Sequence, residues 1–586
     1  MYSSGRRIKA NRRAQTSHGV GLLARFATCL SLCLFAVPGL PAPESDAGLS
    51  EVQLQIEHLL ETPQLEISGD AIYLQDGLRE AYAANAFAPL WSTEQKITEL
   101  ETLLLDSANH GLKPSHYHLQ LIQSLDATAA ASPSPAIIAA RDLLLSDGLL
   151  LYIQHRRYGK VNPAARNADF NFRRDVFDTA AQAGIIQRAK TIASLSALVE
   201  SVVPTADYYE LLRMQLLRYM DLTTRGGWPE VLPGPTLRKG DRDPRVIGVR
   251  ERLLVTGELA GEPTGPANPD GDFFDDELES AVKAFQELNG LDADGLVGKH
   301  TAAAMNVPAS TRVNQLRLSL ERLRWVAQDA GEEFIAVNIA GFRLSFFRNR
   351  HSVWTTRVMV GTTYRQTPLF RSDIKYLEFN PTWTIPPTIL REDTLPALKK
   401  DPAYLAAKNL SVTDAAGRKV DPAGIDWTAY RKTVPFTLRQ GPGPNYALGK
   451  VKFIFPNPYF VFMHDTPHKD LFNRPERTFS SGCIRVENAL ELAEMVLQGQ
   501  PGFSSKDMQE LVQSSKTRRV VLKKPLPVLI LYLTAALDDS GKARFYRDIY
   551  QRDAAVLQAL DGPVTDLNQG AAPNVTPSID TGHLLH

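Results

Sequence analysis

The chain has little cysteine: its 586 residues contain three, and two of these, Cys29 and Cys33, lie near the amino terminus. A fold that depends on disulfide bonds needs several cysteine pairs, so the disulfide-rich class of small secreted domains is excluded. The rest of the chain keeps a single thiol, Cys483, in the stretch FSSGCIRVEN. A lone thiol is either an inert buried side chain or a working nucleophile, and both interpretations are open at this point.

The sequence also lacks an excess of charge of either sign, with 65 basic and 65 acidic side chains. The first 42 residues carry six Lys or Arg and no acid, so the remainder has 59 basic and 65 acidic side chains, a net charge of −6. Nucleic-acid-binding domains concentrate positive charge on one surface. We therefore expect no nucleic-acid partner.

Long hydrophobic runs are missing as well. The stretch FATCLSLCLFAV, residues 26–37, has the length of a secretory signal core and is too short to span a membrane. Basic residues precede it and small residues follow, which predicts a signal peptide over 1–42 with cleavage near Gly39 or Ala42. The alternative is an uncleaved membrane anchor. In both cases we expect export to an oxidising compartment, where cysteines usually occur in pairs.

The first half of the chain has a helical pattern. Apolar residues recur at three- and four-residue spacing through LREAYAANAFAPLW, ITELETLLLDSANHGL and AIIAARDLLLSDGLLLYIQHRRYG. The sequence predicts one helical domain over 51–235, which ends in a Gly- and Pro-rich segment. His116 and His118, in the sequence SHYH, are expected in a solvated loop.

In residues 236–308, two amphipathic helices flank a Gly- and Pro-rich loop and precede the sequence DADG. This segment resembles the peptidoglycan-binding-domain-like repeat, and the resemblance implies a small three-helix module. The matching residues are Ala281, Phe285, Gln286, Gly290, Leu291, Asp294, Gly295, Gly298 and Thr301. A calcium loop is disfavoured because Ala303, and not a glutamate, is closest to the closing position. A plain helical spacer is the remaining alternative.

The hydrophobic period changes from 3.6 to 2 after one more amphipathic helix, which we assign to 309–332 as a linking helix of the scaffold. EFIAVNIAGFRLSFFRN alternates on both sides of a turn, which predicts a β-hairpin. We expect a β-rich domain over 333–525, with an insertion of helical and loop-like sequence at 391–432. A strand or helix segment, 526–560, and a disordered tail, 561–586, complete a multi-domain α+β chain.

Cys483 has neighbours that suit nucleophilic chemistry. A free thiol has a pKa of about 8.5, so a nucleophile needs a base or a cation beside it. His464 is the best candidate because it lies where the strand PYFVFM ends, whereas His468 lies within the following loop. Arg485 is placed to bind a substrate carboxylate or to stabilise the thiolate.

The residues around Cys483 give two further predictions. Gly482 permits a sharp turn whose main-chain N–H groups stabilise an oxyanion. Asn488 and Glu491 have the spacing of a capping box, which predicts a helix that begins after Asn488.

A metal site is the competing interpretation of the histidines. HDTPH places two histidines four residues apart, as in a helical zinc motif. Pro467 disfavours a helix there, and Asp465 replaces the glutamate of that motif. We therefore expect neither a metal nor another cofactor.

Taken together, these residues resemble the L,D-transpeptidase catalytic domain, also called the YkuD domain. The family pattern has a histidine, fourteen to seventeen residues, Ser or Thr, usually His, and then Gly-Cys. Here fifteen residues separate His464 from Ser480, and Ser481 stands in place of the usual second histidine. The segments VMVGTTYRQTP, NPTWTIPPTI and FNRPERTF, and the order of domains, are similar to the large Gram-negative members.

The resemblance implies a periplasmic enzyme that joins peptidoglycan stem peptides. The donor is a tetrapeptide stem, cut between meso-diaminopimelate and the terminal D-Ala. Cys483 forms a thioester, His464 moves the proton, and an amine of a second stem completes a 3→3 cross-link. Gly482 shapes the turn and Ser481 orients the site. Four residues match positions that line the family's pocket: Trp383, Phe462, Asn445 and Arg485.

Two other functions use the same sequence features. An L,D-carboxypeptidase or related cysteine hydrolase needs the same thiol and histidine, with water in place of the amine. A non-catalytic wall-binding scaffold needs only a buried Cys483. The resemblance also implies a capping role for the insertion at 391–432, acylation by carbapenems, and other wall synthases as partners. Contact with a membrane is expected only through an uncleaved signal.

Overall fold

The computed structural model describes residues 46–163, 172, 176–203, 206–261, 271–327, 330–401, 403–443 and 446–565. The predicted signal peptide and the part of the predicted tail beyond 565 lie outside the described residues. The chain forms two units, Met1–Gly48 and Leu49–His586. None of the described helices is both long enough and apolar enough to cross a membrane.

The amino-terminal part is a helical domain, as the sequence predicts. Its helices are α1 (Asp46–Glu61), α2 (Gln75–Ala83), α3 (Glu94–Asp106), α4 (Leu119–Ala131), α5 (Pro135–Tyr158), α6 (Thr179–Thr191), α7 (Leu195–Val202) and α8 (Asp207–Thr224). A short hairpin, β1 (Glu66–Ile67) and β2 (Asp70–Ala71), lies between the first two. Helix α5 is buried over most of its length, because apolar residues surround it. Ser134 caps its start by accepting a hydrogen bond from the Ile137 N–H.

A buried carboxylate of α5, Asp147, holds the loops around it. Asp147 accepts hydrogen bonds from the Leu74 N–H, at 2.8 Å, and from His118 Nε2, at 2.9 Å. His118 Nδ1 faces Asp70 at 3.1 Å. The prediction of a solvated His118 is therefore wrong, since the ring is buried between two acids. Those acids lie far away in the sequence, so no local pattern indicates them.

A small module follows, with helices α9 (Arg245–Thr256), α10 (Asp276–Leu288) and α11 (Lys299–Met305) around a core of its own. Gln286 joins its motif residues: its amide donates to Asp294 at 2.7 Å and to Thr301 at 3.1 Å. The side-chain oxygen of Gln286, Oε1, accepts a hydrogen bond from the Gly295 N–H at 2.9 Å. The motif thus fixes the DADG loop against α10.

Helix α12 (Ala309–Val326) connects the helical domain to the β-rich domain. Glu321 on this helix is fully buried and accepts hydrogen bonds from the Val161 N–H, at 2.7 Å, and from Trp325 Nε1, at 3.1 Å. The same carboxylate pairs with Arg324, whose side chain is also buried. The residue after Glu321, Arg322, pairs with Asp553. These contacts attach one helix to the helical domain and to the carboxyl-terminal part of the chain.

The β-rich domain begins with β3 (Phe334–Asn338), β4 (Arg343–Arg348), β5 (His351–Gly361) and β6 (Phe370–Phe379). Strands β3 and β4 form the predicted hairpin. The insertion comes next, with β7 (Trp383–Thr384), α13 (Pro387–Ile389), α14 (Leu395–Lys400), α15 (Tyr404–Ala407), β8 (Leu410–Thr413), β9 (Lys419–Val420) and β10 (Thr437–Gln440).

The insertion is a subdomain with its own sheet and core. Its strands pair in the order β7-β10-β8-β9 around Leu395, Leu398, Trp427 and Leu438. It extends to both sides of the predicted range 391–432. The sequence analysis missed its strands, because none of them is longer than four residues and so shows too little alternation.

The chain then returns to the main sheet with β11 (Val451–Ile454), β12 (Met463–His464), β13 (Thr478–Ser480) and β14 (Ile484–Val486). Helices α16 (Ala489–Leu497) and α17 (Ser505–Gln513) precede β15 (Arg518–Leu531), and β16 (Ala535–Leu537), β17 (Ala543–Phe545) and α18 (Asp553–Asp561) follow. Asn488 makes no side-chain cap, so the predicted capping box is wrong, although α16 does begin after it.

Nine strands form the main sheet in the order β13-β5-β14-β12-β11-β6-β15-β3-β4, and a further pairing of β4 with β5 closes it on itself. Strand β15 pairs with β6 and β3, so the sheet continues past the boundary predicted at residue 525. Strands β14, β12 and β11 are adjacent, and this adjacency positions the candidate site.

Candidate active site

The site is a row of polar side chains on adjacent strands. His464 of β12 is in register with Arg485 of β14 on one side and with Lys452 of β11 on the other. Lys452 is in turn opposite Glu378 of β6. Residues directly opposite one another on neighbouring strands point to the same face of a sheet. Cys483 comes two residues before Arg485, immediately before β14 begins, so it lies beside the Arg485 end of this row.

Hydrogen bonds fix the turn that carries Cys483. Gly482 has φ of +108°, a conformation that favours glycine. The Ser480 hydroxyl donates to the Cys483 carbonyl and accepts from the Gly482 N–H at 3.1 Å. Thr367 donates to the Gly482 carbonyl at 2.8 Å. The Gly482 N–H thus already has an acceptor, so Gly482 shapes the turn and does not present its own N–H to an oxyanion. Ser480 and Thr367 support the turn, a role that the sequence did not reveal.

The Cys483 thiol is half-buried, and burial raises its pKa. Three features act in the opposite direction: a hydrogen bond from the Phe462 main chain and the positive charges of Lys452 and Arg485. Since the net shift is upward, the resting thiol keeps its proton at neutral pH and needs a base in order to react.

His464 is a buried and uncharged base. Burial, together with the positive charges of Arg485 and Lys452, lowers the pKa of its ring to about 3. Nδ1 donates to the Asp465 carbonyl at 2.6 Å, which fixes the orientation of the ring. Within the described part of the chain, no hydrogen bond joins this ring to the thiol. The structure therefore holds a neutral thiol and a neutral imidazole on one face of the sheet.

Lys452 is a site residue that the sequence analysis missed. Its ammonium group lies 4.0 Å from the centre of the Phe462 ring. Burial lowers the pKa of Lys452, while Glu378 and Cys483 raise it. The available signal was a lysine alternating with apolar residues in VKFIF, which places it on the face opposite the core. Which strands flank β11 could not be read from that pattern.

The other predicted site residues lie in different places. Phe462 and Arg485 are half-buried beside the thiol, whereas Trp383 opens the insertion and packs against its core. Asn445 lies outside the described residues. Ser481 is exposed, and its hydroxyl accepts a hydrogen bond from Arg365 at 2.9 Å.

The helical zinc motif is not formed. His464 ends a strand and His468 lies exposed in the loop after it, so the two rings do not share a helix face. Among the described residues, no three His, Cys, Asp or Glu side chains are grouped so as to hold a metal ion.

Three family models match the chain. A YkuD "L,D-transpeptidase catalytic domain" matches residues 332–503, a "Scaffold domain" matches 76–216, and a "Putative peptidoglycan binding domain" matches 242–305. These matches confirm the resemblance on which the sequence analysis relied and the multi-domain α+β class.

Known proteins show partial likeness. A Haemophilus influenzae protein described as "Putative L,D-transpeptidase" is 35% identical over 255 residues, which are 43% of this chain and 51% of that protein. The chain therefore spans about half the length of this relative. A Mycobacterium tuberculosis protein described as "N-acetylmuramoyl-L-alanine amidase CwlM" is 39% identical over 75 residues, 12% of this chain and 18% of that protein.

A crystal structure of an L,D-transpeptidase from Xylanimonas cellulosilytica is 13% identical and aligns with 51% of this chain and 99% of its own, at a TM-score of 0.17. The domain assignment rests on the family models and not on this weak likeness. The chain thus carries an L,D-transpeptidase catalytic domain of the YkuD family at residues 332–503, together with a scaffold domain and a peptidoglycan-binding domain.

Proposed function

We propose that the protein is an L,D-transpeptidase that forms 3→3 cross-links in peptidoglycan, with Cys483 as nucleophile and His464 as general base and acid. One observation carries this proposal. Inside the catalytic domain, the only cysteine among the described residues shares one sheet face with a buried neutral histidine and two cations. Since its substrate is wall material, we place the enzyme outside the cytoplasm, in the periplasm.

In the first half-reaction, Cys483 Sγ attacks the carbonyl between the L-centre of meso-diaminopimelate and D-Ala, and its proton passes to His464. The C–N bond breaks, and the D-Ala amine leaves with that proton. The acyl group remains on sulfur as a thioester. His464 is suited to this step because its ring is neutral and its orientation is fixed by the Asp465 carbonyl.

In the second half-reaction, a side-chain amine of another stem attacks the thioester. The amine gives a proton to His464, the C–S bond breaks, and the proton returns to the Cys483 thiolate. Water must be kept from the thioester until the amine arrives, and we assign this task to the insertion between Trp383 and Gln440.

The test is digestion of tetrapeptide muropeptides by the full-length protein, analysed by mass spectrometry. We expect cross-linked dimers, and we expect Cys483→Ala and His464→Ala to abolish them. Monomeric tripeptides alone would identify the hydrolase alternative instead. If the muropeptides stay unchanged and both variants keep full function in vivo, the non-catalytic wall-binding scaffold is the remaining interpretation.

A further inference from the structure

The two cations beside His464 have no anionic partner. Within the described ranges, the side chains of Lys452 and Arg485 make no ion pair and no hydrogen bond, and Arg485 Nε is buried without an acceptor. Glu378 is opposite Lys452 in register but does not form an ion pair with it. Two half-buried positive groups therefore face the site without an ion-pair partner.

Such an arrangement opposes folding. A half-buried cation loses hydration, and no carboxylate pairs with either group to offset that loss. Buried polar groups in folded proteins are nearly always satisfied, so an exception indicates a ligand or a catalytic role. Both groups have the same sign and lie on opposite sides of the base, and this indicates an anion.

The positions of Lys452 and Arg485 define where that anion binds. Strands β11, β12 and β14 are consecutive, so the α-carbons of the two residues are about 10 Å apart, with His464 between them. The ammonium group of Lys452 lies 4.0 Å from the centre of the Phe462 ring, and this contact orients the Lys452 side chain. Cys483 precedes Arg485 by two residues, immediately before β14 begins.

We propose that Lys452 is a second anion-binding residue of this site, which together with Arg485 holds the terminal D-Ala carboxylate of the donor stem above His464. This inference rests on the proposed function, because that function supplies the donor. The carboxylate adjoins the bond that Cys483 breaks, so the pair would select tetrapeptide stems whose terminal carboxylate is free.

Binding of the carboxylate would also activate the base. Several groups act on the proton of His464: Arg485 and Lys452 on the flanking strands, and the main-chain carbonyls of Asp465 and Leu448. The two cations disfavour a proton on the ring. A bound carboxylate offsets their charge, so His464 accepts a proton more readily when the donor is present.

The test compares two donors, a disaccharide-tetrapeptide with a free terminal carboxylate and the same molecule with that carboxylate amidated. Their affinities are measured by calorimetry in a Cys483→Ala background, so the assay needs no turnover. Loss of a charge-assisted hydrogen bond typically weakens binding by about tenfold to a hundredfold. We expect Lys452→Met to weaken binding of the free donor by this factor and to leave the amidated donor unchanged.

Two further variants keep the test decisive. Lys452→Arg retains the charge, and we expect it to restore most of the preference for the free carboxylate. Arg519→Met removes an exposed cation two strands away in the same row, and we expect no effect. The inference would be overturned if Lys452→Met bound the free-carboxylate donor as tightly as the Cys483→Ala protein with Lys452 intact. Lys452-dependent binding without cross-linking activity would overturn the proposed function and leave the subsite standing.

Discussion

At the scale of single residues, the site depends on environment as much as on residue identity. Burial keeps the Cys483 thiol protonated and the His464 ring uncharged. A cysteine and a histidine in solution would titrate much closer to neutral pH. The protein therefore holds the Cys483 thiol and the His464 ring in their neutral forms.

The backbone conformation of Gly482 gives the first prediction. In Gly482→Ala, the added methyl group has space, since its nearest neighbour is the Gln366 carbonyl oxygen at 3.7 Å. The positive φ remains unfavourable for alanine and costs about 1–2 kcal/mol, a loss measured by urea unfolding. We also expect slower alkylation of Cys483 by iodoacetamide, because the turn shifts.

Gly417→Ala is the matched control. Gly417 also has a positive φ, +78°, and nothing within 4 Å of an added methyl group, but it lies in the insertion. We expect a similar loss of stability with unchanged alkylation of Cys483. Unchanged alkylation in Gly482→Ala as well would show that the turn does not set the position of the thiol.

The low pKa of His464 gives the second prediction. The unfolded chain binds a proton at this histidine below about pH 6.5, whereas the folded ring does so at about pH 3. The contribution of His464 to stability is therefore present above pH 6.5 and falls as the pH is lowered through this interval. Arg485→Gln removes one cause, so we expect a higher His464 pKa, measured by NMR of the histidine rings.

The exposed Arg519 serves as the comparison, because Arg519→Gln removes a charge of the same sign from the far end of the row. We expect this variant to leave the His464 titration at its original position. If Arg485→Gln also leaves it unchanged, the charge of Arg485 does not act on the base.

At the scale of elements, one arginine connects the insertion to the nucleophile turn. Arg365 pairs with Asp393 at 2.6 Å and with Glu392 at 2.7 Å, just after α13, and it donates to Ser481 at 2.9 Å. Its own side chain is 13% exposed, whereas Glu392 and Asp393 are 38% and 46% exposed, so these ion pairs are open to solvent on the carboxylate side. Arg365 therefore links the insertion to the nucleophile turn.

Releasing this attachment gives the third prediction. Glu392→Gln combined with Asp393→Asn removes both negative charges. The loss of two exposed ion pairs of this kind raises the equilibrium constant for local opening of the segment by about threefold to tenfold. We expect hydrogen exchange to accelerate by that factor in residues 387–400. Salt should accelerate exchange in the original protein and have little effect in the variant.

Asp414→Asn provides the control, because its partner Arg418 lies in an exposed hairpin of the same insertion. Exchange in residues 387–400 should then stay at its original rate. The same result for the doubly substituted variant would mean that Arg365 does not hold the insertion.

Local patterns account for the parts of the structure that the sequence could predict. The β3–β4 hairpin and the amphipathic helix α10 follow from the period of their apolar residues. Cys483 and His464 could be singled out from the residues around them. The register of His464 with Lys452 and Arg485 could not be predicted from the sequence, because pairing between distant strands depends on the whole sheet. The burial of His118 is non-local for the same reason.

At the scale of the whole molecule, helix α12 joins the helical domain to the sheet. Glu321 lies at this junction and holds Arg324, Trp325 and the Val161 N–H. Because the arginine is buried with it, the pair contributes to stability only while both charges are present.

Breaking the pair gives the fourth prediction. Glu321→Ala leaves Arg324 buried without its carboxylate, so we expect a loss of about 3–5 kcal/mol in the free energy of unfolding, measured in urea. Asp414→Ala breaks an exposed pair and should have a much smaller effect. Equal effects of the two substitutions would show that the junction does not depend on Glu321.

The most direct test of the central claim, that Cys483 is a nucleophile served by His464, is the mass of the intact protein after incubation with a carbapenem. We predict the addition of one molecule, mapped to the peptide that contains Cys483, no addition in Cys483→Ala, and much slower addition in His464→Ala. An unmodified mass for the folded protein after incubation with several carbapenems, or an adduct that forms equally fast without His464, would contradict the account.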